Sequence, residues 1–295
     1  MALPRETGYC FGIMTEPAPR TTIVSVCYNS MGVLPQMLAS VPVGVPVVLV
    51  DNASNDRAAL LALAQSAGAQ LVENDRNLGF GVGCNQGAVR ATTEFILFLN
   101  PDARLDQGAL DGLEQAMDRY PEASAMNPRL TDGAGHPYFK RRSVLLPRSR
   151  WLAKGWPVQD CTVPVLSGAA LMVRRTGFEM VGGFDPNIFL YHEDDDLSLR
   201  LVRDCGPLMF IRAASVHHME GRSTVRSPQS AALKARHMGW SRVYAARKHG
   251  QRFALTRALA GAVGQLLSPA TVLSRRKRAK HLAFLRGVLS AARGG

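Results

Sequence analysis

The chain has no acidic residue after Glu220, no cysteine pair spaced to hold a metal, and no apolar run of membrane-spanning length. Its five cysteines, at 10, 27, 84, 161 and 205, form no C-x-x-C motif and are odd in number. A zinc knuckle and a disulfide scaffold are therefore excluded, and reduced thiols in a cytosolic protein are expected. The uncharged stretch Ala258 to Ser274 is interrupted by Gln265, Ser268 and Pro269. It falls short of the ~20 apolar residues of a spanning helix. Tyr9 to Met14 is too short for a signal-peptide core and is flanked by Glu6 and Glu16, so no leader is expected. The 17 prolines and 27 glycines are ordinary for a globular chain and exclude collagen-like or low-complexity architectures. With 295 residues, 46% of them hydrophobic, the chain can bury one large core or two modest ones.

What is present is uneven in charge. Residues 1–197 hold 16 basic and 21 acidic residues, net −5, whereas residues 198–295 hold 19 basic and two acidic ones, net +17. Such a division indicates a two-part protein whose tail is drawn to phosphates, of nucleic acid or of an anionic membrane. The tail carries few aromatics (Trp240, Tyr244, Phe253, Phe284) and no nucleic-acid-binding motif, so a basic nucleic-acid-binding protein is the weaker reading.

The hydrophobic pattern predicts an open α/β fold. TTIVSVCY (21–28), the apolar run 45–50 and FILFL (95–99) read as strands, the last two buried on both faces. Residues 57–67 read as a helix, 70–73 as a short strand, and 79–92 as a glycine-rich entry to a helix. Residues 136–160, rich in Lys and Arg, read as a long mobile loop. Residues 163–173 read as a strand interrupted at Ser167-Gly168. Residues 194–204 read as a helix, 208–211 and 214–217 as short strands, and 229–249, 252–266 and 275–292 as tail helices.

Ligands of open α/β sheets bind beyond the carboxyl ends of the strands. Asn29, Asp51, Asn52, Asn100 and Asp102 all fall there. Asp102 suits a hard divalent ion, Mg²⁺ or Mn²⁺, unless it caps the following helix. The run Glu193-Asp194-Asp195-Asp196 is stabilised by a helix N-terminus and offers a general base. His217-His218 offers an imidazole ligand.

Seven segments then fall in one order: VSVCYNS (24–30), VLVDNASND (48–56), NLGFGVGCNQG (77–87), ILFLNPDA (96–103), LSGAALMVRR (166–175), VGGFDPNIFLYHEDDDLSLRL (181–201) and VHHMEG (216–221). Together they resemble the family 2 inverting glycosyltransferases, especially the rhamnosyltransferase-like branch. The resemblance implies a GT-A fold: a mostly parallel, Rossmann-like sheet flanked by helices, here with a C-terminal helical extension. It divides the chain into an N-terminal extension (1–20), a glycosyltransferase domain (21–225, nucleotide-binding to 125 and acceptor-binding from 126) and a basic amphipathic helical region (226–295).

The same resemblance places Tyr28, Asn29 and Asp51 around the nucleotide base and ribose, and the strand-end residue Asn52 is counted with them as substrate-binding. Arg76, Asn77, Gly79 and Asn85 fall along the nucleotide and sugar, with Asn100 and Gly168 completing the substrate-binding set. Asp102 takes the last position of the metal-binding D-x-D motif. Asp194 takes that of the catalytic base with Glu193 beside it, and His217 that of a histidine at the metal. The motif is Asn100-Pro101-Asp102, which leaves one carboxylate for the metal. Asp195 replaces a usually apolar residue, so Asp194, Asp195 and Asp196 all stay open as the base, and His218 is the alternative to His217. The implied reaction is metal-dependent, inverting transfer of a hexose, L-rhamnose from dTDP-rhamnose first among donors. The implied acceptor is a glycan or lipid-linked hydroxyl in cell-surface polysaccharide synthesis. The implied place is the cytoplasm, peripherally on the inner face of the membrane, and the alternative is a non-catalytic nucleotide-sugar binder.

Overall fold

The computed structural model describes residues 18–219 and 228–293. Cys10, most of the N-terminal extension, the end of the VHHMEG segment and the expected boundary at 225/226 lie outside the described residues. In chain order, the first elements are β1 (Thr21–Cys27), α1 (Leu34–Leu38), β2 (Val47–Asp51), α2 (Arg57–Ser66), β3 (Gln70–Glu73), α3 (Phe80–Ala88) and β4 (Phe95–Leu99). Then come β5 (Ala103–Leu105), α4 (Ala109–Arg119), β6 (Ala125–Thr131), β7 (Pro137–Tyr138), β8 (Cys161–Val163), β9 (Ala170–Arg174), α5 (Arg175–Met180) and α6 (Glu193–Asp204). The chain continues with β10 (Leu208–His218), α7 (Pro228–Lys248), α8 (Ala254–Leu267), α9 (Pro269–Val272) and α10 (Arg275–Arg293).

The sheet order is β3-β2-β1-β4-β9-β6-β10-β5. Its first four strands are parallel, as the expected Rossmann-like half requires. Beyond them β9 is antiparallel to both β4 and β6, and β10 is parallel to β6. The second half is therefore mixed. Both faces of the parallel half are covered. Ile23, Leu49, Phe95 and Leu97 pack with Leu34, Met37, Leu60 and Met117 on one side. Val24, Val50, Ile96 and Phe98 pack with Phe178, Phe184, Leu197 and Leu201 on the other. Double-sided burial is why these strands are continuous apolar runs rather than alternating ones.

Three stretches differ from the sequence reading for local reasons. The two short strands expected at 208–217 are one strand with a register shift between Ile211 and Ser215, where the Arg212 N–H leaves the ladder for Asp160 Oδ1 at 2.8 Å. The strand expected at 163–173 has the interruption expected at Ser167-Gly168, only wider: β8 ends at Val163 and β9 begins at Ala170, and the Ser167 N–H turns to Asn127 Oδ1 at 2.6 Å. The basic stretch 136–160 is pinned rather than free. Trp156 donates to Leu130 O at 3.1 Å and Trp151 to Ser143 O at 3.1 Å, while Arg141 and Leu152 exchange bonds at 2.9 Å.

The tail helices form their own core from Ala235, Val243, Ala258, Ala262, Phe284 and Val288. α7 and α10 touch backbone to backbone. A Cβ on Gly239 would strike Phe284 O, and one on Gly287 would strike Arg236 O. The four described cysteines are free thiols, and among the described residues no helix is long and apolar enough to cross a membrane.

Candidate active site

The carboxyl ends of β1, β2 and β4 open onto a cleft. A cavity of about 220 Å³ is lined by Tyr28, Asn52, Asn77, Gly79, Asn100 and Pro101 from the sheet side. A shallower trough lined by Tyr28, Asn29, Ser54 and Asn55 adjoins it. Gly79 turns with φ +93°, and a side chain there would meet Phe189 O, so only glycine lets the chain pass under the 189–192 segment. Asn77 Oδ1 accepts the Gly79 N–H at 2.9 Å, and Asn52 Nδ2 donates to Gly79 O at 2.9 Å. Asn29 adopts φ +54°, and its side chain accepts the Asn55 N–H at 2.8 Å.

Not every expected residue faces the cleft. Asp51 is fully buried beneath it; one oxygen accepts the Ser54 N–H at 2.9 Å and the other has no hydrogen-bond partner. Arg76 is exposed and lines neither cavity. Asn85 spends its amide on the Phe184 backbone, donating to O and accepting from N at 2.8 Å each, so it shapes the fold under the cleft rather than lining it. Gly168 enters only through its N–H, which donates to Asp194 Oδ2 at 3.1 Å.

Asp102 is buried at 3% exposure and caps no helix; α4 starts from Gly108 instead. Its Oδ1 lies 3.3 Å from His218 Nε2 and has no hydrogen bond of good geometry. Asn100 Nδ2 sits 3.4 Å from the same ring nitrogen. His217 points elsewhere, with Nδ1 2.6 Å from Thr131 Oγ1 and Nε2 2.9 Å from Asp106 Oδ1. Successive residues of a strand face opposite sides, so only one of the pair can reach Asp102, and it is His218. No group of three or more His, Cys, Asp or Glu gathers for a metal among the described residues. Asp102, His218 and Asn100 nevertheless supply a buried orphan carboxylate oxygen, an imidazole and an amide. That donor set suits a divalent ion completed by phosphate oxygens and water.

The four carboxylates at the start of α6 have four different environments. Glu193 is buried, and burial, followed by the Asp194 charge, pushes it up to about 8. It is the neutral member, with Oε2 unpartnered. Asp194 bonds to Lys140 Nζ at 2.6 Å, to the Gly168 N–H and, through Oδ1, to the Asp195 N–H at 2.8 Å. Asp195 lies between Lys140 and His192, 2.9 Å from each. Burial opposes its charge, but Lys140 and His192 overcome it and hold the group well below the usual range. Asp196 is fully buried and faces away, bonding to Arg200, Lys248 and His249. Burial would raise it, yet the bonds from His249 and Lys248 hold it at about 2. Asp194 is thus the carboxylate of the run that keeps partial exposure, at 18% of its side chain. Consecutive residues 168 and 169 join it to the Asp102 motif, since the Asn100 N–H bonds Ala169 O at 2.9 Å.

The sequence reading missed the far wall of the cleft. Ser230, Leu233, Lys234 and His237 of α7 line the cavity, and His237 stacks on Phe189 at 4.2 Å. It also missed Lys140. Both signals are tertiary: none of these five residues belongs to a motif of its own.

The family model for Glycosyl transferase family 2 matches residues 22–182. An N-acetylglucosaminyl-diphospho-decaprenol L-rhamnosyltransferase of Mycobacterium tuberculosis is 30% identical over 272 residues, covering 78% of this chain and 88% of the relative. Among solved structures, GalNAc-T7 with UDP, GalNAc and Mn²⁺ superposes with TM-score 0.58 at 15% identity, covering 94% of this chain, which spans 57% of that one. S. aureus TarS residues 1–349 with UDP superposes with TM-score 0.55 at 14% identity, covering 93% and 91%. The structural likenesses establish the fold. Together with the family match and the relative, they make this chain a member of glycosyl transferase family 2, a glycosyltransferase built on the GT-A fold.

Proposed function

We propose that this glycosyltransferase moves L-rhamnose from dTDP-L-rhamnose, with inversion, to a hydroxyl of N-acetylglucosamine carried on a lipid diphosphate, at the surface of an anionic membrane. The observation that carries the reading is the 30% identical rhamnosyltransferase spanning 78% of the chain. The site agrees in chemistry. The cleft would hold the nucleotide along Tyr28, Asn29 and Asn52, with the diphosphate at Asn100, Asp102 and His218. Asp102 and His218 would hold a divalent ion there, which would supply neutralisation of the charge on the leaving diphosphate. Asp194 accepts the proton of the acceptor hydroxyl as that oxygen bonds to the anomeric carbon and the bond to the diphosphate breaks. Glu193, neutral when its value is about 8, leaves the Asp194 carboxylate next to an uncharged neighbour.

The tail supports the membrane part. Leu267 and Leu273 are 73% and 86% exposed, beside exposed Val263 and Val272. Arg275, Arg276, Lys277 and Arg278 follow at once and are exposed. Four cations at a helix N-terminus oppose the macrodipole, so their placement serves something other than helix stability. An apolar corner beside clustered cations suits anionic lipid headgroups.

The test is incubation of the purified protein with dTDP-L-rhamnose and a short-chain lipid-diphosphate N-acetylglucosamine, with product analysis by mass spectrometry and NMR. A rhamnosylated product of inverted anomeric configuration is expected. Transfer only from another nucleotide sugar, or retention of configuration, would refute the respective part.

A further inference from the structure

Lys140 has no part in the functions above, yet it makes the shortest contact to the base. The 137–140 strand end carries it there. Tyr138 stands 5.9 Å from the His218 ring, Phe139 packs on Phe210 at 5.4 Å, and Lys140 reaches α6. The alternation of an extended chain sends Tyr138 and Lys140 to the site and Phe139 to the core. Lys140 Nζ is 2.6 Å from Asp194 Oδ2 and 2.9 Å from Asp195 Oδ1. Both oxygens of Asp194 are therefore occupied, Oδ2 by Lys140 and the Gly168 N–H, Oδ1 by the Asp195 N–H. A general base needs a lone pair within reach of the proton it removes. Two of the three partners are backbone groups of ordered segments. The third is an ammonium on a flexible four-carbon stem, and it is the one that can leave.

We propose that Lys140 is a positioning residue that covers the Asp194 carboxylate while no acceptor is bound and moves off it when an anionic acceptor arrives. This rests on Asp194 being the base. The cover answers a chemical hazard. A donor bound over an open carboxylate is exposed to water: the water oxygen bonds to the anomeric carbon and the bond to the diphosphate oxygen breaks. The electron pair leaves with the nucleoside diphosphate, and the proton passes to Asp194. Free sugar and nucleoside diphosphate result, with no further reactant. Lys140 on Asp194 occupies the oxygen that would take the proton. A diphosphate-linked acceptor brings its own anion for the ammonium. Asp195, 2.9 Å from His192 Nδ1 on its other oxygen, keeps the lysine in place between turnovers.

The experiment measures release of dTDP from dTDP-L-rhamnose without acceptor, by the full-length wild type and by K140M, K140R and D194N, with thermal melts as the folding control. K140M is expected to hydrolyse about tenfold faster or more, toward the ~10²-fold scale of general-base effects. K140R, which restores the cation, is expected near wild type. K140M is also expected to lose part of the preference for a diphosphate-linked acceptor over octyl N-acetylglucosaminide. Hydrolysis by folded K140M at or below the wild-type rate would overturn the cover. If K140M fails to fold, K140Q takes its place in the same comparison. Transfer by D194N within tenfold of wild type would instead overturn the base assignment, and the cover with it, whatever K140M shows.

Discussion

At the scale of single residues, the two adjacent histidines are the sharpest case. His218 lies 3.3 Å from the orphan oxygen of Asp102, whereas His217 is held between Thr131 and Asp106. His218→Ala is therefore expected to weaken nucleotide-sugar binding in the presence of Mn²⁺ and to remove most of its sensitivity to EDTA. His217→Ala should leave both within about twofold. Equilibrium binding with and without metal reads the difference, and equal effects from both substitutions would refute the assignment to His218. Glu193 gives a second expectation. Its folded value of about 8 exceeds the ordinary 4.5, so the folded state keeps a proton that the unfolded chain releases. The sign follows from linkage: this contribution to stability is full below about pH 4.5 and is lost as pH rises through about 8. Glu193→Gln cannot ionise, so the melting temperature of wild type relative to Glu193→Gln should fall across that window. A constant difference would mean that Glu193 is already ionised at low pH in the folded protein.

At the scale of elements, legibility followed locality. Strands β1, β2 and β4 were readable because burial on both faces leaves an unbroken apolar run, and α2 because Asp56 caps it, accepting the Ala59 N–H at 3.1 Å. β6 was not readable: Pro128 and Arg129 interrupt it, and its place in the sheet comes from β9 and β10, far away in sequence. Asp102, Asp194 and Gly79 were legible because each belongs to a motif a few residues long. Lys140, His218 over His217, and the α7 wall depend on which way a side chain points, which a motif does not encode. The α7–α10 contact is another such feature, its closest approach permitted by Gly239 and Gly287. Because a Cβ at Gly287 would strike Arg236 O, Gly287→Ala is expected to destabilise the helical layer by roughly 1–3 kcal/mol, as overpacking does. At Gly264, where a Cβ meets nothing within 4 Å, alanine should be neutral or slightly stabilising, as expected in a helix interior. Denaturant melts of the two variants test the contrast, and equal midpoints would show that α7 and α10 separate more readily than their packing indicates.

At the scale of the whole molecule, the tail is joined to the catalytic half rather than tethered beside it. Lys248 bonds to Asp185 at 2.6 Å and to Asp196 at 2.8 Å, His249 bonds to Asp196 at 2.9 Å, and Ser241 donates to Leu190 O at 3.0 Å. The residues just before Asp196 are Asp194 and Asp195, so the helix that carries the proposed base also anchors the helix that walls the cleft. A surface that held the tail would therefore fix the orientation of the cleft as well. This makes truncation a poor test of membrane binding, because removing α8 and α10 would strip the partners of Ala235 and Val243. Replacement of Arg275, Arg276, Lys277 and Arg278 by glutamine is cleaner, since all four are exposed and lie outside that core. Each lysine or arginine near an anionic surface contributes about 1 kcal/mol. The quadruple variant should therefore lose at least about tenfold in affinity for phosphatidylglycerol vesicles, with neutral phosphatidylcholine vesicles bound weakly by both forms. Its activity on a water-soluble acceptor should be unchanged, while activity on a vesicle-embedded lipid diphosphate falls with binding. Equal binding of the two proteins to anionic vesicles at low salt would remove the basic corner as the contact. The exposed Leu267 and Leu273 would then be the remaining place to look for it.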